Sequence, residues 1–166
     1  MSTALVFPDG RLVFAGRVLR AAIGRGGVRA DKQEGDGATP AGRLALRHVL
    51  YRADRGPIPA AYVAREPLAP DDAWCDDPDH ADYNRQVRTP HPARCEALWR
   101  SDTLYDVIGV LGWNDAPVRR GRGSAIFLHV AQPDLAPTAG CVALPAAELR
   151  ALLAAGLDAL DIRDRG

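Results

Sequence analysis

Hydrophobic and polar positions alternate along much of the chain in short runs, and this two-residue period predicts β-strands. The first two runs flank Pro8-Asp9-Gly10 and are predicted to form a β-hairpin. Two later runs are almost wholly apolar and are typical of buried central strands. The predicted strands cover residues 3–7, 11–15, 18–23, 43–51, 105–111, 125–130 and 157–163.

A helical period is clear in one place only, across residues 145–155. Pro145 suits a first turn, the Leu149, Leu152 and Leu153 side chains form an apolar stripe, and Gly156 stops the pattern. A second short helix is predicted around residues 96–100. The predicted class is therefore mainly β with one main short helix.

Two segments interrupt the strand pattern. Residues 24–42 hold six glycines and much of the local charge, which predicts a long functional loop. Residues 52–102 are rich in Pro, Asp and Arg. Because neither segment resembles a linker or a repeat, residues 1–166 are predicted to form a single domain.

Composition narrows the classes of partner. The 21 Lys and Arg residues balance the 21 Asp and Glu residues, and no basic run supports nucleic-acid binding. All the positive side chains except Lys32 are arginines, which favour bidentate recognition of carboxylates or phosphates. No window is apolar enough to span a membrane, and no export signal precedes the first strand. The expected location is therefore the cytoplasm, or the periplasm if the start codon is mis-assigned.

The strongest chemical signal is the interval from His129 to Cys141. The imidazole lies in a predicted apolar strand, and the thiol follows Thr138-Ala139-Gly140 after a short loop containing proline. A thiol becomes a good nucleophile when a nearby base removes its proton. We expect His129 to generate a stabilised thiolate at Cys141. The backbone N–H groups of Gly140 and Cys141 are expected to bind a developing oxyanion.

Cysteine and histidine also occur together at Cys75, His80, His91 and Cys95. Four such ligands would satisfy tetrahedral zinc, but the spacing lacks a tight Cys-x2-Cys pair and contains prolines. No metal and no cofactor is therefore predicted. A Cys75–Cys95 disulfide is expected only if the protein is exported.

The ordered motifs resemble the L,D-transpeptidase family, whose YkuD-type catalytic domain remodels peptidoglycan. His129 matches the family's strand histidine, and Thr138, Gly140 and Cys141 match its Ser/Thr-His-Gly-Cys motif. Residues 32–42, which include Thr39-Pro-Ala-Gly, are similar to an early family segment. Residues 74–78, 82–85, 104–107 and 121–129 are similar to a compact subgroup of the family.

Three features depart from the family pattern. Ala139 replaces the histidine before Gly-Cys, Ala143 replaces a usual Arg or Asn, and the interval between His129 and Cys141 is short. The residue that anchors a substrate carboxylate is then unassigned. The nearest candidates within the family-like segments are Arg85 and Arg122. For the group that orients the His129 ring, the sequence offers the backbone carbonyl just after it or, less directly, Asp134.

The resemblance implies a β-sandwich with a long active-site loop and one short helix after the nucleophile. It further implies attack on the diaminopimelate–D-alanine bond of a tetrapeptide stem, through a thioester resolved by water or by an amine. Expected partners are stem peptides or muropeptides and carbapenem-type inhibitors. The expected substrate-binding residues are Thr138, Arg122, Ser124, Tyr83, Asn84 and Arg85. The alternative is a degenerate module that binds peptidoglycan without cutting it.

Overall fold

Paired β-strands make up most of the molecule. The computed structural model describes residues 2–165, with a single α-helix, α1 (Ala146–Ala154). The strands are β1 (Ser2–Val6), β2 (Arg11–Phe14), β3 (Arg17–Arg20), β4 (Val28–Arg29), β5 (Thr39–Pro40), β6 (Gly42–Tyr51), β7 (Arg65–Pro67), β8 (Asp72–Cys75), β9 (Gln86–Arg88), β10 (Cys95–Ala97), β11 (Val107–Leu111), β12 (Phe127–Val130), β13 (Val142–Leu144) and β14 (Leu157–Ile162).

The main sheet has the strand order β13-β12-β11-β6-β14-β1-β2-β3, with β7 also paired to β6. The long strand β6 pairs with β14 near its start and with β11 further along, so it joins the two halves of the sheet. Beyond β3, Ala22 exchanges two backbone hydrogen bonds of 2.8 and 2.9 Å with Ala143 of β13. The ends of the sheet therefore meet, and its halves enclose the larger hydrophobic cluster, while a second cluster lies between the sheet and β8. The predicted mainly β sandwich is confirmed.

Alternation of side chains explains why these strands form. On β1, Ala4 and Val6 are fully buried, and their neighbours are more exposed. The predicted helix is also confirmed: α1 buries Leu149, Leu152 and Leu153, and it ends before Gly156. Burying these leucines anchors the segment that follows β13. Strand β13 is thus fixed on one side by its neighbour β12 and covered by the helix, which packs against both strands.

The helix predicted around residues 96–100 is wrong. Residues 95–97 form β10, which pairs antiparallel with β8 in a small sheet of order β10-β8-β9. Leu98, which follows β10, is completely buried. Cross-strand pairing and burial against the larger sheet override a weak local helical pattern. The polar segment 52–102 therefore contains ordered strands that its composition concealed.

The glycine-rich loop 24–42 is folded against the body of the protein. Its ends pair as the short parallel strands β4 and β5. Inside it, Lys32 Nζ lies 2.6 Å from Asp36 Oδ1 and only 2% of Lys32 is exposed. Gly24 N–H also donates to Thr39 Oγ1 over 2.8 Å. A buried ion pair and these backbone contacts therefore fix the loop.

Within residues 2–165, no helix has the length and apolar character needed to cross a membrane.

Candidate active site

Strand pairing brings the predicted catalytic residues together. His129 lies on β12 and pairs in register with Ala143 of the parallel strand β13, which begins directly after Cys141. Both side chains are at least nine-tenths buried, and both line one cleft with a volume of about 200 Å³. The loop between the two strands therefore returns Cys141 to the end of the sheet that carries His129.

The His129 ring is held in one orientation. Its Nδ1 lies 2.8 Å from the carbonyl oxygen of Val130, the carbonyl expected from the sequence. Since a carbonyl only accepts, Nδ1 carries the proton and Nε2 keeps a free lone pair. Burial lowers the pKa of His129 below its usual value, so the ring is neutral at pH 7. Asp134 accepts from Ala136 N–H in its own turn.

The Cys141 thiol is protonated at neutral pH. It donates to the Ala125 carbonyl over 3.2 Å and accepts the Phe127 N–H over 3.3 Å. Burial, reinforced by the nearby Glu96 carboxylate, raises the pKa of Cys141 to about 12. The prediction that Cys141 is held as a stabilised thiolate is therefore wrong for the protein without substrate. The site holds a neutral thiol beside a neutral imidazole.

Thr138 and Gly140 shape the corner before Cys141. Thr138 Oγ1 donates to the Cys141 carbonyl over 2.6 Å and accepts Gly140 N–H over 3.1 Å. Gly140 has a φ of +141°, and a Cβ there would lie 2.9 Å from the Ala38 carbonyl oxygen. The expectation that Gly140 N–H faces an oxyanion is therefore wrong for this state. The Cys141 N–H, which is the other expected oxyanion donor, is not hydrogen-bonded within this turn.

Of the remaining predicted binding residues, only Ser124 lines the cleft, where its hydroxyl donates to Glu34 Oε1 over 2.5 Å. Tyr83 and Asn84 are buried behind the cleft. Tyr83 Oη accepts Gly123 N–H, and Asn84 Oδ1 accepts Ala125 N–H. The structure thus uses both as supports for residues 123–125, and assigning them to substrate contact is wrong for this state.

The two arginines proposed as carboxylate anchors lie elsewhere. Arg85 is exposed and does not line the cleft. Arg122 lines a separate groove beside Trp113, whose ring N–H donates to the Arg122 carbonyl. The arginine of the cleft is instead Arg25, from the glycine-rich loop. The glycines on both sides of Arg25 were the only sequence signal for a chain reversal that presents its side chain.

Sequence reasoning also missed three acidic residues of the cleft, Glu34, Asp76 and Glu96. Glu96 accepts the Tyr105 hydroxyl over 2.6 Å, and burial raises its pKa. The Tyr105 ring in turn packs edge-on against His129, with centroids 5.3 Å apart. The cleft therefore combines one arginine with three carboxyl groups around the thiol.

A second pocket of about 210 Å³ reaches His129 from another side. It includes Arg100 and Gln132, and it shares five residues with the first cleft: Glu96, Tyr105, His129, Thr138 and Ala139. The small side chain of Ala139 lies where the two pockets adjoin. His129 therefore lines both pockets.

Of the four residues considered as zinc ligands, the structure places three close together. Ligand atoms of Cys75, His91 and Cys95 lie within 4.8 Å of one another, and His80 packs edge-on against His91. The prolines between them do not prevent this approach, because β8 and β10 place the two cysteines opposite each other.

Comparison with known proteins gives one family. The model of YkuD, described as the L,D-transpeptidase catalytic domain, matches residues 1–158. No curated protein matches the chain. The matched region includes the whole cleft and both members of the Cys141–His129 pair. The chain belongs to the YkuD family of L,D-transpeptidase catalytic domains.

Proposed function

We propose that this protein is a cysteine acyltransferase that cleaves the bond between diaminopimelate and D-alanine in peptidoglycan tetrapeptide stems. The observation that carries the proposal is the position of Cys141 and His129 together in one cleft of a YkuD domain. Each side chain is oriented by backbone groups, and the thiol proton must leave the Ala125 carbonyl before it can pass to His129.

The resting pair needs the substrate to become reactive. With a thiol pKa near 12 and an imidazole pKa below its usual value, the proton stays on sulfur. We infer that attack on the carbonyl carbon and proton transfer to His129 Nε2 occur together. The C–S bond forms, and the carbonyl oxygen becomes an oxyanion near Cys141 N–H. When the C–N bond breaks, the imidazolium returns its proton to the departing amine of D-alanine.

The charges of the cleft suit a zwitterionic stem peptide. Arg25 would bind the carboxylate of the terminal D-alanine, and arginine is well suited to this contact. The carboxylate of Glu34 would bind the side-chain ammonium of diaminopimelate, whereas the Asp76 carboxylate is already paired with Arg94 at 3.0 Å. A substrate with only negative charge would meet repulsion from the same groups.

We propose water as the main acceptor. The second pocket gives an acceptor access to His129, which can deprotonate it for attack on the thioester. The two pockets have similar volumes, about 200 and 210 Å³, and water is the smallest acceptor that can enter the second one beside a bound donor stem. The expected product is a tripeptide, from L,D-carboxypeptidase action, with cross-linking as the minor outcome.

The test is mass spectrometry of products from disaccharide-tetrapeptide, with Cys141→Ala as the control. Loss of D-alanine by the native protein, absent in the variant, would support the proposal. Cross-linked muropeptide dimers as products would instead show transpeptidase action. No product that depends on Cys141 would overturn acyl transfer on this substrate.

One observation favours the alternative of a non-cutting binding module. The Cys141 thiol is buried and strongly protonated, as an inert structural thiol would be. In that case the same incubation would leave the tetrapeptide intact, while calorimetry would show that the protein binds it.

A further inference from the structure

The geometry points to a metal site outside the acyl-transfer cleft: we propose that Cys75, Cys95 and His91 bind one Zn²⁺ or a similar thiophilic divalent ion. The three ligand atoms already lie within 4.8 Å of one another. In a tetrahedral zinc site with Zn–S bonds of about 2.3 Å, two sulfurs lie roughly 3.8 Å apart. Side-chain adjustments of about 1 Å would therefore complete the site.

Strand register holds the two sulfurs together. Cys95 pairs directly with Cys75 across β10 and β8. Asp76 N–H donates to the Arg94 carbonyl on one side of this pair, which makes Cys75 and Cys95 a pair without hydrogen bonds between them. In such pairs the side chains approach most closely. Cys75 is completely buried, so an ion here would be shielded on one side.

The His91 ring has the tautomer needed to bind metal through Nδ1, whose lone pair would exchange the Ala93 N–H for the ion. Nδ1 accepts the Ala93 N–H over 3.1 Å and lies 3.4 Å from Cys95 Sγ. Nδ1 is therefore unprotonated, and the proton sits on Nε2, which lies 3.0 Å from Asp82 Oδ2. A carboxylate that orients a ligating histidine in this way is common at zinc sites.

This histidine is what favours a metal over a disulfide. A Cys75–Cys95 disulfide would need neither the Nδ1 lone pair at the sulfur nor the Asp82 contact. On binding, each thiol loses its proton to water, so two protons leave and two thiolate–metal bonds form. A water molecule would fill the fourth position.

The site would also brace the cleft. Cys75 precedes Asp76, and Cys95 precedes Glu96, both of which line the cleft around Cys141. An ion that joins the two cysteines would fix the spacing of these two carboxyl groups. This role does not depend on which substrate the cleft takes.

The test is a Co²⁺ titration of the full chain, reduced with a non-thiol reductant and freed of metal. We expect one Co²⁺ per chain with thiolate charge-transfer absorption, and displacement of the Co²⁺ by one Zn²⁺. Cys95→Ser should lose the charge-transfer bands or shift them strongly. Cys141→Ala is the matched control and should keep them.

Asp82→Asn guards against a folding artefact, because the Asp82 side chain is only half-buried and the substitution keeps its size. We expect that variant to fold and to bind Zn²⁺ about 10–100-fold more weakly in a chelator competition. Bands that persist in Cys95→Ser but vanish in Cys141→Ala would overturn the proposal, as would a reduced native protein without charge-transfer absorption. Unchanged affinity in Asp82→Asn would also count against it.

Discussion

The protein carries two thiol–imidazole pairs, and they are built in opposite ways. Cys95 lies 3.4 Å from His91 Nδ1, and Asp82 holds the other ring nitrogen. At Cys141 the thiol is bonded to the backbone of Ala125 and Phe127, and His129 to the carbonyl of Val130. Direct contact between sulfur and imidazole is thus found at the pair that lies outside the cleft.

The two pairs are better distinguished by whether a substrate can reach the sulfur than by the distance between sulfur and imidazole. Cys141 and His129 line a cleft that also contains Arg25 and Ser124. Cys95 is accompanied instead by a third potential ligand, Cys75. A thiol–imidazole contact alone therefore does not identify a nucleophile. A site for the substrate and for the oxyanion must adjoin the sulfur.

The largest expected effect tests the base of the catalytic pair. We expect His129→Gln to lower kcat/KM for tetrapeptide cleavage by about 10²–10⁴-fold, because general-base catalysis is lost. His48→Gln is the control, since His48 is a half-buried histidine that does not line the cleft. If steady-state assays gave equal losses for the two variants, His129 would have no special role.

The next effect tests whether the cleft, rather than the pair, selects the substrate. Arg25→Ala removes the one arginine of the cleft, and a charged hydrogen bond contributes about 1.5–3 kcal/mol. We expect KM to rise by roughly 10–100-fold with a smaller change in kcat. Arg17→Ala, at an exposed position of β3, provides the comparison in the same assay. A KM that did not respond to Arg25→Ala would remove this residue as the anchor.

A third prediction concerns the turn that positions Cys141. Gly140→Ala places a Cβ 2.9 Å from the Ala38 carbonyl, whereas Gly121, also with positive φ, has nothing within 4 Å of the added atom. Strained backbone alone costs about 1–3 kcal/mol at either position. Denaturant unfolding should therefore show a greater loss for Gly140→Ala. Equal losses would mean that the Ala38 contact relaxes without cost.

The smallest effect concerns the charge beside the thiol. Burial and then Glu96 raise the pKa of Cys141, so Glu96→Gln should lower that pKa and increase the thiolate fraction. We expect iodoacetamide to react with Cys141 a few-fold faster at pH 8, with Glu66→Gln as the surface control. In the native protein the rate should keep rising about tenfold per pH unit toward pH 11, without an earlier plateau. A plateau near pH 7 would contradict the protonated resting thiol.

The placement of His129 and Cys141 in one cleft was predictable because its signal is local. His129 and Cys141 are separated by one short loop; His129 lies on the short apolar strand β12, and Cys141 directly precedes the short apolar strand β13. Arg25 and Glu96 were not predictable in the same way, since each reaches the cleft from a distant segment through strand pairing. The failed helix around residues 96–100 has the same cause, because β10 owes its form to its partner β8.

Buried polar residues also limited how much of the site could be predicted from the sequence. Tyr83 and Asn84 belong to a family-like motif, which suggested contact with substrate. Their side chains instead accept backbone N–H groups next to the cleft. Sequence pattern identifies such residues as important to the site, but only the packing shows whether they face the substrate or support the residues that do.

The most direct test of the central claim is to map the covalent adduct formed with a carbapenem on the reduced native protein. A nucleophile in the cleft should open the β-lactam ring and keep the drug as a thioester. The account predicts one adduct per chain, located on Cys141 by peptide mass spectrometry and absent from Cys141→Ala. An adduct on Cys95, or none at saturating drug, would contradict the assignment of Cys141 as the nucleophile.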